Sequence, residues 1–250
     1  FSLQPSEFVK PFFLMISGWF LSRGIQGKKA SMYFIFSVFF ILAGLIILQP
    51  DFGMTVLFSI SFFCQLFIAG LSLILVSLAI LFLVGLSVTS YFAFDHVKKR
   101  IDIFFDPSGG DTYQIGWSIK AFKSGNIFGK GPGQGTLKEK IPDANTDFIF
   151  AVAGEELGFL VCFLIVLLIL ILVIRLLISL FKIDKPDKII AIIGLSSCYG
   201  LQALINIFSS LGVIPTKGMT LPLISYGGSS MISSAILFGF LFSLTRKDRK

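Results

Sequence analysis

Asn145 to Ile174 reads NTDFIFAVAGEELGFLVCFLIVLLILILVI. One carboxylate, Asp147, stands where a long polar segment gives way to more than twenty mostly apolar residues. A helix of about 18 apolar residues or more crosses a hydrocarbon core of roughly 30 Å. The acid therefore lies at the mouth of a membrane helix, with water on one side and lipid on the other. Two readings are open at this point. Thr146 or Asp147 caps the helix that follows, or the carboxylate acts as a base toward a substrate whose tail lies in the bilayer.

The same pattern recurs along the chain. Hydrophobic residues make up 55% of the 250 and charged residues 14%, and the mean hydropathy is +0.89. That is too little charge to cover a soluble domain of this length. The fold expected is an all-α polytopic membrane protein with about seven spans, near 8–22 (shortened or broken at Pro11), 32–49, 52–70, 72–94, 148–174, 189–214 and 228–244. The 30 Phe fit helices that face lipid. Cys64, Cys162 and Cys198 lie inside apolar segments without metal-ligand spacing and read as small hydrophobes. The first residues, Phe1-Ser2-Leu3-Gln4-Pro5, carry neither Met nor a secretory signal pattern, so the chain is expected to enter partway through a larger protein.

Charge gives the orientation. Arg23, Lys28 and Lys29, then Arg175, Lys182, Lys185 and Lys188, then Arg246, Lys247, Arg249 and Lys250 hold 11 of the 21 Lys and Arg, all in segments on one side. Short connections on the other side hold only Lys217. The basic side is cytoplasmic by the positive-inside rule. The net charge of +7 thus reflects cytoplasmic loops rather than a nucleic-acid partner. The whole chain, 1–250, reads as one membrane domain, with 95–147 an outward loop inside it. Within that loop Ile115, Ile119 and Phe122 recur at i, i+4, i+7, flanked by Lys120 and Lys123. That predicts a short amphipathic helix in the interface with Trp117 at headgroup depth.

Several constellations have chemical potential. Gly129 to Thr136 has glycine at every second position, which suits either a flexible turn or a backbone that presents N–H groups to an anion. Lys98, Lys99, Arg100, Lys120, Lys123, Lys138 and Lys140, seven of the eight Lys and Arg in the outward loop, share it with Asp147. Such a set suits a phosphate-bearing substrate, or is simply a solvated loop of mixed charge. Glu155 lies with Glu156 two turns into an apolar run, where a carboxylate normally faces a cavity or a partner. Glu7 and Lys10 are one helical turn apart and can pair or line a cavity. Asp51 stands in a Pro-Asp turn. Gln202 and Asn206 share a helix face. Pro215 to Ser230, with two Pro and three Gly, cannot be regular helix and is expected to dip in and help close a site.

Taken in order, these pieces resemble the SEDS family (shape, elongation, division and sporulation), the group of FtsW, RodA and SpoVE. The resemblance rests on Gln4-Pro5-Ser6-Glu7-Phe8 with Lys10, Gln49-Pro50-Asp51-Phe52-Gly53, and Arg100 with Phe105-Asp106-Pro107. It continues through the glycine loop with Lys138, Pro142 to Phe150, Glu155-Glu156-Leu157-Gly158, and Pro215 to Ser230. Thr216 to Pro222, with Gln202 to Asn206, is closer to the FtsW, or division, branch.

The resemblance implies ten transmembrane helices, of which these spans would be the fourth to the tenth. It implies a peptidoglycan glycosyltransferase that polymerises lipid II at the septum of the bacterial inner membrane. Its partners would be a class B penicillin-binding transpeptidase, other division proteins and membrane lipids. It makes Asp147 the general base, and Arg100, Lys138 and Lys217 the cations for the pyrophosphate. Glu7, Lys10, Asp51, Glu155, Asn206 and Ser229 would line the cavity. No cofactor is required by it, although a divalent cation, Mg or Mn, could share the charge stabilisation. The family has His two residues before the aspartate, whereas this chain has Asn145. Two other functions fit the same residues: a lipid II flippase, and a non-catalytic division scaffold.

Overall fold

The computed structural model describes residues 4–49, 51–70, 113–215 and 218–246, with Leu81, Gly85, Thr89, Phe92, Lys98 and Asp102 between them. Among these residues the chain is helical: α1 (Pro5–Ile25), α2 (Lys29–Leu48), α3 (Phe52–Ile68), α4 (Tyr113–Gly125), α5 (Ile149–Glu156), α6 (Gly158–Ser179), α7 (Pro186–Ser210) and α8 (Gly228–Thr245). Short 3-10 turns cover Leu137–Lys140 and Leu180–Lys182. Lys29–Leu48, Gly158–Lys182, Pro186–Ser210 and Gly228–Thr245 are long and apolar enough to cross a membrane, and Phe52–Ile68 is a shorter apolar helix. The chain is an all-α polytopic membrane protein. The span expected near 72–94 falls almost wholly outside the described residues. Side chains such as Phe40 and Ile41 of α2, and Phe163, Leu168 and Ile171 of α6, are exposed, as helices facing lipid require.

The fold divides into two compact units. One comprises residues 1–89, 172–201 and 228–250; the other comprises 90–171 and 202–227. In the first, the phenylalanines do more than face lipid. Phe13, Phe39, Phe58 and Phe62 are buried together, with Phe39 and Phe62 stacked at 4.7 Å and Phe13 4.8 Å from Phe58. Close helix approach comes from small residues, because lipid offers no hydrophobic drive between helices. A Cβ on Gly18 of α1 would lie 2.7 Å from that of Ala191 on α7. Gln65 of α3 is fully buried and ties three helices, donating to the carbonyls of Leu14 (2.7 Å) and Ile190 (3.2 Å) and accepting from Ser17.

α1 is not broken at Pro11, contrary to the sequence expectation. Proline lacks the N–H that would bond the carbonyl four residues back. That carbonyl belongs to Glu7, and the Ser233 hydroxyl of α8 donates to it at 2.6 Å. With the orphaned acceptor satisfied from a neighbouring helix, the helix continues past the proline.

In the second unit the amphipathic segment is a helix, α4, as its periodicity predicts. Ala121, Ile141, Ala144, Phe148, Ala151 and Val152 form its core with α5. Lys120 and Lys140 hold their ammonium groups over the Trp117 ring at 4.4 and 4.7 Å. One expectation needs correcting: the run from 148 to 174 is not one helix. α5 stops at Glu156, and Gly158, the first residue of α6, takes a positive φ of 80°.

Candidate functional site

The break at Leu157 and Gly158 leaves backbone groups without helical partners, and the loop after α4 supplies them. Phe159 and Leu160 donate to the carbonyls of Asn126 and Ile127 at 3.0 and 3.3 Å. Lys130 and Gly131 donate to the carbonyls of Glu155 and Glu156 at 3.0 and 2.9 Å. The approach is too close for a side chain, since a Cβ on Gly158 would lie 2.3 Å from the Gly129 nitrogen.

This contact explains the alternating glycines. The loop does present N–H groups to anions, and the anions are the chain's own carboxylates. Glu155 is fully buried; it accepts from Lys130 Nζ at 2.7 Å and from the amides of Thr136 and Leu137 at 3.1 Å each. Glu156 accepts from Lys138 Nζ and the Gly133 amide, both at 2.8 Å. The hydrogen bond to Glu156 raises the pKa of Lys138 above its ordinary 10.5. The Lys130 partnership was not anticipated, although a lysine in a glycine loop near two adjacent glutamates was the available signal.

Asp147 sits half-buried at the end of the tight turn that begins at Asp143, its amide donating to the Asp143 carbonyl at 3.0 Å. It does not cap α5. The helix starts at Ile149, and its N-cap is Phe148, whose side chain makes no capping hydrogen bond. Thr146 turns its hydroxyl back to the Asp143 carbonyl instead.

Asn206 of α7 fixes the turn from the side. Its Nδ2 donates to the carbonyls of Asp147 (2.8 Å) and Met219 (2.5 Å). Two acceptors on that nitrogen settle the orientation of the amide. Its Oδ1 is buried and finds no partner among the described residues. Asp147, Asn206, Ser209 and Gly218 line a cavity of about 10 Å³, room for one water.

The connection before α8 dips in as expected. Met219, Leu221 and Ser225 are buried. The Ser225 hydroxyl donates to the Thr146 carbonyl, and the Tyr226 amide donates to the Asn145 carbonyl at 3.0 Å. Gln202 donates to the Thr220 carbonyl at 3.1 Å. Asn145 is thus held through its backbone while its side chain is exposed. A Cβ on Gly218 would stand 3.2 Å from Asp147 Oδ2, so the loop backbone closes directly over the carboxylate.

Of the remaining predicted residues, Glu7 and Lys10 form a buried ion pair at 2.8 Å in the first unit. Asp51 caps α3, accepting from the Met54 amide at 2.9 Å. Gln4 links two of the predicted positions: its amide donates to Ser229 Oγ at 3.1 Å and its side chain reaches Asp51 at 3.5 Å. Arg100 and Lys217 lie outside the described residues. Among those described, no three His, Cys, Asp or Glu gather in a way that could hold a metal.

Residues 1–250 match the FTSW_RODA_SPOVE family, described as Cell cycle protein. The chain belongs to this family. It is 41% identical over 249 residues to the probable peptidoglycan glycosyltransferase FtsW of Caulobacter vibrioides, covering 99% of this chain and 64% of that protein. It is 34% identical over 259 residues to the protein of the same name from Aliivibrio salmonicida, covering 100% of this chain and 65% of the relative. A chain solved in a peptidoglycan synthase complex superposes with a TM-score of 0.73 at 25% identity, covering 98% of this chain and 70% of its own. The Thermus thermophilus rod shape determining protein RodA shares the fold at a TM-score of 0.65 and 24% identity, covering 97% and 66%. This family member thus spans slightly under two thirds of the first two relatives' length.

Proposed function

We propose that the chain is the membrane body of a peptidoglycan glycosyltransferase of the division type. The observation that supports this most is the state of Asp147. It is a carboxylate that does not cap the helix after it, two residues before the short α5 that leads into the candidate span α6, with its backbone bonded by Asn206 and a buried loop folded over it. The names of the relatives supply the substrate class.

In the proposed reaction Asp147 accepts the proton of the acceptor sugar's 4-hydroxyl as that oxygen attacks the donor's anomeric carbon. The bond to the undecaprenyl pyrophosphate breaks, and the leaving group departs with the electron pair. Arg100 and Lys217 are the cations assigned to its charge. Lys138 belongs to the same set by sequence; its ion pair with Glu156 gives it a positioning role as well. A divalent cation, Mg or Mn, would share the stabilisation of the leaving group's charge. The partners proposed are lipid II, a transpeptidase and other division proteins, at the septum of the inner membrane. The peptidoglycan synthase complex that shares the fold supports such an assembly.

The test is polymerisation of lipid II by the full-length protein with its transpeptidase, wild type against Asp147→Asn. The expected loss is about 100-fold or more, with partner binding retained. Full activity in the variant would exclude Asp147 as the base.

The buried Glu7–Lys10 pair favours a second reading, a lipid II flippase, because charges inside a membrane bundle often mark a transport path. That reading requires labelled lipid II to cross liposomes containing the protein alone, and to stop crossing in Glu7→Gln.

A further inference from the structure

The first unit holds a recess of about 950 Å³ at the ends of α6 and α8 and the start of α7. Five cations line it, Arg175, Lys182, Lys185, Lys188 and Arg246, against one carboxylate, Asp184. Ile178, Ile183 and Leu244 supply an apolar wall. Among the described residues no carboxylate lies within ion-pair distance of Arg175, Lys182 or Arg246. We propose that this recess binds the phosphodiester headgroup of an anionic phospholipid from the cytoplasmic leaflet.

Position and chemistry together select this ligand. All three helices are candidate membrane spans, so their ends lie at headgroup level. Arg175 interrupts the apolar run of α6 seven residues before Lys182, about 10 Å further along the helix at 1.5 Å per residue. Lys182 and Arg246 are exposed at the rim. The cations therefore extend from the rim into the apolar zone, and the apolar wall continues into the exposed Ile174, Leu177 and Ile178 of α6. A soluble phosphate would use the charges and leave that wall bare. A phospholipid uses both: its phosphate meets the cations and an acyl chain follows α6. Orientation by positive charge alone requires basic residues on this side, but not their convergence on one recess from three segments.

The test uses the full-length protein in detergent, titrated with dioleoylphosphatidylglycerol, dioleoylphosphatidylcholine or glycerol phosphate, with bound molecules read by native mass spectrometry. Wild type is expected to prefer phosphatidylglycerol over phosphatidylcholine by about tenfold or more. Arg175→Gln/Lys182→Gln/Arg246→Gln is expected to lose that preference. Arg23→Gln/Lys28→Gln/Lys29→Gln, which removes as many cytoplasmic charges elsewhere, is expected to keep it. Equal loss in both variants would mean a diffuse charge effect and overturn the proposal. Glycerol phosphate competing as well as the lipid would overturn the lipid assignment. Should the triple variant fail to fold, Lys182→Gln/Arg246→Gln at the exposed rim must still lower the preference, and an unchanged preference would refute the site.

Discussion

Asn206 and Asp147 show how a reactive side chain is held by what surrounds its backbone. The Asn206 amide spans two carbonyls from different segments, those of Asp147 and Met219. Asn206→Ala leaves both acceptors without that donor. It is expected to cost about 1–3 kcal/mol of stability, and to lower the turnover of the proposed reaction more than it raises the substrate KM. Thermal unfolding and steady-state polymerisation measure the two effects; unchanged turnover in a folded variant would deny Asn206 a positioning role. The sequence placed Asn206 on an inward helix face. It could not show which carbonyls the amide would meet, because one is 59 and the other 13 residues away. The capping reading of Asp147 failed for a local reason: the helix begins at Ile149, one residue after the apolar run does, so its N-cap is Phe148.

At the scale of elements, both errors in the span assignment arise where tertiary contacts satisfy freed backbone. α1 passes through Pro11 because Ser233 bonds the Glu7 carbonyl. Ser233→Ala should therefore cost about 1–2 kcal/mol in the wild type and much less in a Pro11→Ala background, where residue 11 regains its N–H. A double-mutant cycle on thermal or denaturant stability reads this coupling, and equal costs in both backgrounds would reject it. The opposite happens at Gly158, where hydropathy alone reads one continuous helix. The loop of Asn126 to Gly131 takes over the backbone bonds, and a residue with positive φ becomes tolerable only as glycine. Gly158→Ala is expected to destabilise the protein by about 2 kcal/mol or more, from the left-handed backbone and the clash with Gly129 together. A melting temperature equal to wild type would show that the loop does not pack there.

For the whole molecule, the distribution of Lys and Arg predicts sidedness. A cysteine at Lys140 should react with a membrane-impermeant maleimide added outside intact cells with a permeabilised outer envelope, and a cysteine at Lys185 only after the inner membrane is opened. Native background is expected to be low, since Cys162 and Cys198 are buried and Cys64 lies in apolar α3. Labelling of the Lys185 position from outside would invert the topology. The fold class and the family were legible in the sequence, because hydropathy and ordered motifs are properties of the chain itself. What only the tertiary structure decided is where the polar groups go. Glu155 anchors the glycine loop, Asp51 caps α3, and Asp147 is left without a capping role, because a hydrogen bond needs a partner that chain order does not name.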